Sequence, residues 1–362
     1  MFNKAQTIIT SNISGTIEDM CLSVLSQIKV KNILKIAFFC KARDNEEYLY
    51  NFTTLKESIN SFFSTNTPLF SYIAQASHTG RLIAEVTYIT NDCITIERHR
   101  NYILLKNGAC TELITGGIIP DDINKSTFEQ ARNIFSGIEK MLNINGFAPS
   151  DIYRQWNYIQ GITMLNNGSQ NYQEFNDARS IFYNKSQWTN GYPAATGIGV
   201  DAGGVMVEVC AIKNYDLNKP IDNPLQIAAH SYSQNVLDGK SIALFGEKST
   251  PKFERARLLG NTIFISGTAA IKGEESINSN NAVEQTAETM KIMDRLVSKD
   301  NIPTANNGSH YHMLRIYVKY ANDVDSVREF MDLHDPTTPK HYLIANVCRP
   351  ELLVEIEGIA MI

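Results

Sequence analysis

Apolar residues recur at three- and four-residue steps through EQARNIFSGIEKMLNI, near residue 129, and through EQTAETMKIMDRLV, near residue 284. That is the period of a helix with one buried face. Each helix is followed by a loop and a strand rich in aromatic and β-branched residues, DIYRQWNYI in one case and HYHMLRIYVKY in the other. A second helix comes next (YQEFNDARSIFY, DSVREFMDLH), and each unit closes on extended segments opening on an aromatic: YPAATGIG with GGVMVEVCAI, and YLIANVCRPELLVEIEGI. The first third runs in the same order, through TIEDMCLSVLSQI, ILKIAFFCK, TLKESINSFF and PLFSYIAQASHTGRLIAEVTYI. The pattern predicts three related α+β units, residues 1–120, 121–220 and 221–362, with mixed sheets covered by helices. A threefold-repeated unit in one chain predicts a pseudo-threefold arrangement, with clefts between units where ligand pockets concentrate.

The closing strands align as LIAEVTYI, VMVEVCAI and LLVEIEGI, which puts Glu85, Glu208 and Glu355 in register. In the last of them Leu353, Glu355 and Glu357 share one side, while Val354, Ile356 and Ile359 favour the other. An antiparallel strand with one wet face accounts for that alternation. If both faces are buried instead, each carboxylate needs a partner or a purpose.

Composition narrows the function. With 43% hydrophobic and 20% charged residues, the 362-residue chain has the balance of a soluble globular protein. A net charge of −5 lacks the basic stripe of a nucleic-acid surface, and ERHR (Glu97 to Arg100) reads as a solvated strand end. No apolar run approaches the ~18 residues of a membrane span, and the start lacks the apolar core of a signal peptide. Six cysteines without C-x-x-C spacing are expected as reduced thiols in a cytoplasmic protein, a monomer or weak homo-oligomer. TGIGVDAGG precedes a strand, whereas a phosphate loop opens a helix. The two histidines of HYH (His310 to His312) lack the acidic or thiol residues that would complete a metal set.

FISGTAAI followed by EQTAETM, and the ending VEIEGIA, resemble the YjgF/RidA-like (chorismate mutase-like) fold. Together, RQWNYI, YQEFNDAR, YPAATGIG and CRPELLVEIEG, in that order from about residue 147 to the end, resemble the chorismatases. The resemblance implies an enzyme that removes pyruvate from chorismate without metal or cofactor. One departure is NPLQIAAHSYSQN (Asn223 to Asn235), which keeps the family's NPxQ start and lacks the arginine that usually follows. Two other readings stand beside this one: an enamine/imine hydrolase like the general YjgF/RidA proteins, and a non-catalytic small-molecule-binding protein.

Carried onto this chain, the resemblance makes Glu355 the acid that protonates the enol ether, with Glu357, one pleat further on the same face, as the fallback. A carboxylic acid can do this only if desolvation raises its pKa. Arg179, Arg154 and Arg315 are the expected partners of the substrate's two carboxylates, since guanidinium–carboxylate pairing is bidentate. Tyr158, Tyr192, Thr196, Gly267, Thr268, Ala269 and Cys348 are expected around the substrate. Gly267 with Cys348 resembles the branch forming 3-hydroxybenzoate, bulkier residues going with a dihydroxycyclohexadiene carboxylate; 4-hydroxybenzoate is a further alternative.

Overall fold

The computed structural model describes all residues except 1, 92–93, 167, 238–245, 278–279 and 306–307, so Cys93 lies outside the described residues. The first unit contains β1 (Lys4–Thr10), α1 (Ile17–Gln27), β2 (Ile33–Phe39), α2 (Asn45–Phe62), β3 (Leu69–Ile73) and β4 (Ile83–Ile89). The second has a three-stranded meander, β5 (Thr95–Arg98), β6 (Tyr102–Asn107) and β7 (Cys110–Thr115). It continues through α3 (Thr127–Ile144), β8 (Ile152–Gln160), α4 (Asn171–Tyr183), β9 (Ala194–Val200) and β10 (Val205–Lys213). The third runs through β11 (Asn218–Ile221), β12 (Ala256–Leu259), β13 (Thr262–Ala269), α5 (Ala282–Val297), β14 (His310–Val318), α6 (Val324–His334), β15 (Lys340–Ile344) and β16 (Val354–Met361).

All three sheets share one four-strand core: β1-β4-β2-β3, β7-β10-β8-β9 and β13-β16-β14-β15. In each, the closing strand lies antiparallel between two neighbours, and the last two strands are parallel, joined by a helix. The expected α+β repeat is therefore present in all three thirds. The first boundary is not where the sequence suggested. Strands β5 to β7 hydrogen-bond into the second sheet, so the first unit ends with β4 at Ile89 rather than at residue 120.

Local signals start the helices. Ser126 and Glu129 form a reciprocal capping box at α3, and Asp44 and Asn281 cap α2 and α5 with their side chains. Three apolar clusters lie between each sheet and its own helices, such as Ile134, Phe135 and Ile138 of α3 against Val207 and Val209 of β10. Two more lie where the inner faces of the three sheets meet, drawing on Phe39, Tyr158 and Tyr317 in one and on Leu34, Tyr153 and Phe264 in the other. Both faces of each sheet are consequently covered, and all seven residues of β2 are buried. The wet face expected for the last strand does not exist: Glu355 is 4% and Glu357 3% exposed. No helix among the described residues is long and apolar enough to cross a membrane.

Candidate active site

Strand register explains how the buried charges meet. Opposite the aligned acids sit Ala37 (across from Glu85), Trp156 (across from Glu208) and Tyr317 (across from Glu355). Two residues earlier on those strands, on the same face, are three cations: Lys35, Arg154 and Arg315. Each reaches into a neighbouring unit. Lys35 of the first unit pairs with Glu208 of the second at 2.7 Å, and Arg315 of the third pairs with Glu85 of the first at 2.6 Å. Arg154 of the second pairs with the third, but with Glu357 rather than the aligned Glu355.

Glu357 is held by many groups. Thr196 and Arg154 donate to it, Trp156 Nε1 donates at 2.9 Å, Arg315 at 2.7 Å and the Tyr317 hydroxyl at 2.8 Å. Burial works to raise its pKa, but the Arg315 and Arg154 guanidiniums and these hydrogen bonds hold it below the usual carboxylate range. It is a fixed anion, not a solvent-facing one, and it is unsuited to giving up a proton. The carboxyl of Glu355, one pleat away, has no hydrogen bond or ion pair among the described residues. Burial first, and the Glu357 charge second, push it up to about 8, against the opposing pull of Arg154.

The free acid opens onto a pocket between the second and third units, lined by Tyr172, Asn176, Arg255, Gly267, Ala269, Cys348 and Arg349 among others. Tyr172, Asn176 and Arg179 fall at i, i+4 and i+7 on α4 and share one face. Arg179 is 1% exposed; it donates to Asn176 at 2.6 Å, while its Nε and the Asn176 Nδ2 have no partner. Beside it, burial and then the Arg179 charge hold the Lys252 ammonium below the usual lysine range. Arg255, 3% exposed, donates to the Tyr232 hydroxyl at 2.7 Å and to the Ile227 carbonyl, leaving its Nε unpartnered. Buried arginines with unused donors and no ion pair among the described residues are suited to receive an anion.

Glycines let this cleft stay open. A Cβ on Gly267 would collide with Glu355 Oε1, and one on Gly197 would lie 2.9 Å from the Tyr172 ring. In the corresponding cleft between the first and second units, the register puts Tyr72 where Gly197 stands. There Tyr72 stacks on Tyr48 at 5.1 Å, so an aromatic ring occupies the position that Gly197 leaves free.

Of the residues expected at the site, Glu355, Gly267, Ala269 and Cys348 line the pocket. Arg179 stands behind Asn176, and Thr196 accepts from the Gly267 N–H at 3.1 Å. Arg154, Arg315 and Tyr158 do not line it. Arg154 serves Glu357 and Thr196; Arg315 serves Glu85 and Glu357, and donates to Tyr158 at 2.9 Å in the central network. Thr268 turns its hydroxyl to the Ser266 carbonyl. Tyr192 joins an aromatic stack with Tyr183 and Trp188 beside the pocket. Arg255, Arg349 and Lys252 were not singled out from the sequence. Arg349 lies inside the quoted CRPELL segment, but FERAR (Phe253 to Arg257) carries no periodic signal by which Arg255 stands out. In the segment that lacks the expected arginine, Tyr232 meets Arg255, which comes from the residue just before β12.

Residues 89–211 match the family model described as chorismatase FkbO/Hyg5-like, N-terminal. That match begins well before residue 147, where the sequence resemblance was expected to start. The chain is similar to a 3-hydroxybenzoate synthase of Streptomyces hygroscopicus, 30% identical over 231 residues that cover 59% of this chain and 65% of the relative. It is also similar to a chorismatase of Streptomyces rapamycinicus, 28% identical over 246 residues, with 62% and 68% covered. The aligned stretch spans just under two thirds of the first relative's length. In fold the chain is similar to a crystal structure of chorismatase, with a TM-score of 0.75 over 99% of this chain and 98% of that one, at 18% identity.

Proposed function

We propose, from its similarity to the chorismatases, that this chain cleaves chorismate to pyruvate and 3-hydroxybenzoate, with Glu355 as the general acid. The observation that carries the reading is the pairing of one unpartnered buried carboxyl, pushed up to about 8, with a pocket of under-satisfied cations. Arg255 on the pocket wall and Arg179 behind Asn176 suit the two carboxylates of the substrate, with Arg349 also lining the pocket. Glu355 gives its proton to the terminal methylene of the enolpyruvyl group, and the positive charge develops on the ether-bearing carbon. The carboxylate left behind faces that charge. The ring's own hydroxyl then acts ahead of water, pyruvate departs, and the proton lost as the ring aromatises balances the one Glu355 supplied. No net water is consumed in this branch, whereas the diene branch takes up one.

The choice of product rests on the small residues Gly267 and Cys348 and on the name of the 30% identical relative. Cys348 acts here as a small wall, not a nucleophile: burial, and then the nearby Glu355, push its thiol up to about 12. The test is incubation of the pure protein with chorismate, followed by mass identification of products. Stoichiometric pyruvate with 3-hydroxybenzoate is expected. Absence of pyruvate overturns the reading, and pyruvate with a product one water heavier overturns only the product assignment.

A further inference from the structure

The three register-equivalent cations each make an ion pair between units, and the pair made by Arg154 departs from the pattern. By register, Lys35, Arg154 and Arg315 are equivalent, and so are Glu85, Glu208 and Glu355. A symmetric ring would run Lys35 to Glu208, Arg154 to Glu355 and Arg315 to Glu85. The first and third links are made. In the second, an extra acid one pleat along takes the cation: position 357 is occupied in the other two units by Thr87 and Cys210, neither of which is an anion. The hydroxyl that serves the link shifts with it. Ser71 donates to Glu208, and its register equivalent Thr196 donates to Glu357. Glu357 thereby does the structural work that Glu85 and Glu208 do elsewhere.

We propose that Glu357 is a positioning residue which, by drawing Arg154 and Thr196 onto itself, strips Glu355 of the cation its place in the ring would give it and so keeps Glu355 able to hold a proton. The inference rests on Glu355 being the acid. Two effects act in the same direction. Arg154 is committed to Glu357, and the fixed Glu357 charge disfavours a second anion one pleat away. The other groups facing Glu355 are the Cys348 thiol and the Tyr172 hydroxyl, both kept neutral by burial, and Arg349 and Arg255 across the pocket.

The test is the pH dependence of pyruvate release, together with titration of the Glu355 carboxyl carbon by NMR in the substrate-free protein. Variants Glu357→Gln, Glu355→Gln and Glu208→Gln are compared. In Glu357→Gln the amide keeps the shape but not the charge, and Arg154 turns to Glu355. The alkaline limb, expected near pH 8 in the parent, should move down by about one pH unit or more, so that turnover lost at pH 7 is regained in acid. A merely structural role would lower the rate equally at every pH. Glu208→Gln breaks an equivalent link away from the pocket and should leave the limb in place. If Glu355→Gln is inactive throughout while the Glu357→Gln limb and carboxyl titration stay at parental values, the positioning role is wrong. If Glu355→Gln turns over normally, the assignment of the acid itself is wrong. Should Glu357→Gln not fold, Thr196→Val, which loosens the same carboxylate, should move the carboxyl titration in the same direction by a smaller amount, and an unmoved titration there overturns the proposal.

Discussion

Adding a single methyl group at Gly267 is the sharpest probe of the site. A Cβ built there would lie 2.9 Å from Glu355 Cδ, closer still to Glu355 Oε1, and 3.2 Å from the Thr196 methyl. Carbon atoms prefer about 3.5–4.0 Å, so the carboxyl group must retreat by roughly 0.6–1 Å. Thr196 cannot yield instead, because its hydroxyl is bound to Arg154, Glu357 and the Gly267 N–H. A displacement of that size in a reacting group costs on the order of 10²-fold in rate, and overpacking costs about 1–3 kcal/mol in stability. Gly267→Ala should therefore fold with a lowered melting temperature, bind substrate within a few-fold, and release pyruvate about a hundred times more slowly. The assay is single-turnover pyruvate release at saturating chorismate, alongside thermal melting. A variant with parental turnover would refute the argument that this glycine exists to seat the acid. A collapse of turnover before any change in product ratio would instead refute the idea that enlarging position 267 merely redirects the product.

Glu355→Gln keeps the shape and removes the proton, so turnover should fall ~10²-fold or more at every pH. It also carries a stability signature. A carboxyl whose folded pKa is about 8, well above its unfolded value, favours the folded state fully in acid and loses that contribution as pH rises to about 8. Glu355→Gln should accordingly be more stable than the parent at pH 8, by on the order of 3 kcal/mol, with the gap closing towards pH 4 in denaturant titrations; a pH-independent difference would contradict this. Arg179→Gln should raise KM by roughly 10–100-fold with kcat within a few-fold, the value of a charge-assisted carboxylate contact, and an unchanged KM would remove Arg179 from the site. Cys348→Val should keep pyruvate release but raise the share of the product one water heavier, as read by mass. Lys35→Met strands Glu208 in the interior and should cost about 3–5 kcal/mol in unfolding free energy, leaving kcat of the folded protein unaltered; loss of kcat would tie the first interlock to the chemistry.

Much of the fold was legible because the repeat is written in hydrophobic period. Helices α3 and α5, each followed by an aromatic strand, stand out in any reading of the chain, and the alignment of Glu85, Glu208 and Glu355 is matched by strand register. The boundary after the first unit was not legible. Residues 95–115 form strands of ordinary alternation, and which sheet an alternating strand joins depends on its partner rather than on its own pattern. The wet-face reading of the last strand failed for a related reason. Alternation of Glu with Val and Ile looks the same whether the polar side meets water or the interior of a ring of three sheets, and the closing of that ring is a long-range event.

At the candidate site, the sequence singled out Glu355 and small residues that line one pocket, and the illegible part was the division of labour among the arginines. Arg154, Arg179 and Arg315 are the same residue type in similar surroundings of the sequence, yet two are tied to carboxylates and the third donates to the Asn176 side chain instead. What separates them is a count across units: the central ring provides Glu85, Glu208 and Glu357 for its three cations, and none is left for Arg179. The same count isolates Glu355. Glu355, a further buried acid beside these three pairs, has no ion pair of its own among the described residues, so burial and the Glu357 charge outweigh the pull of Arg154 before any substrate is considered. Glu357 occupies the second unit's cation, which leaves Glu355 without an ion pair on one wall of the pocket, while on another wall the Arg255 guanidinium keeps an Nε without a partner among the described residues.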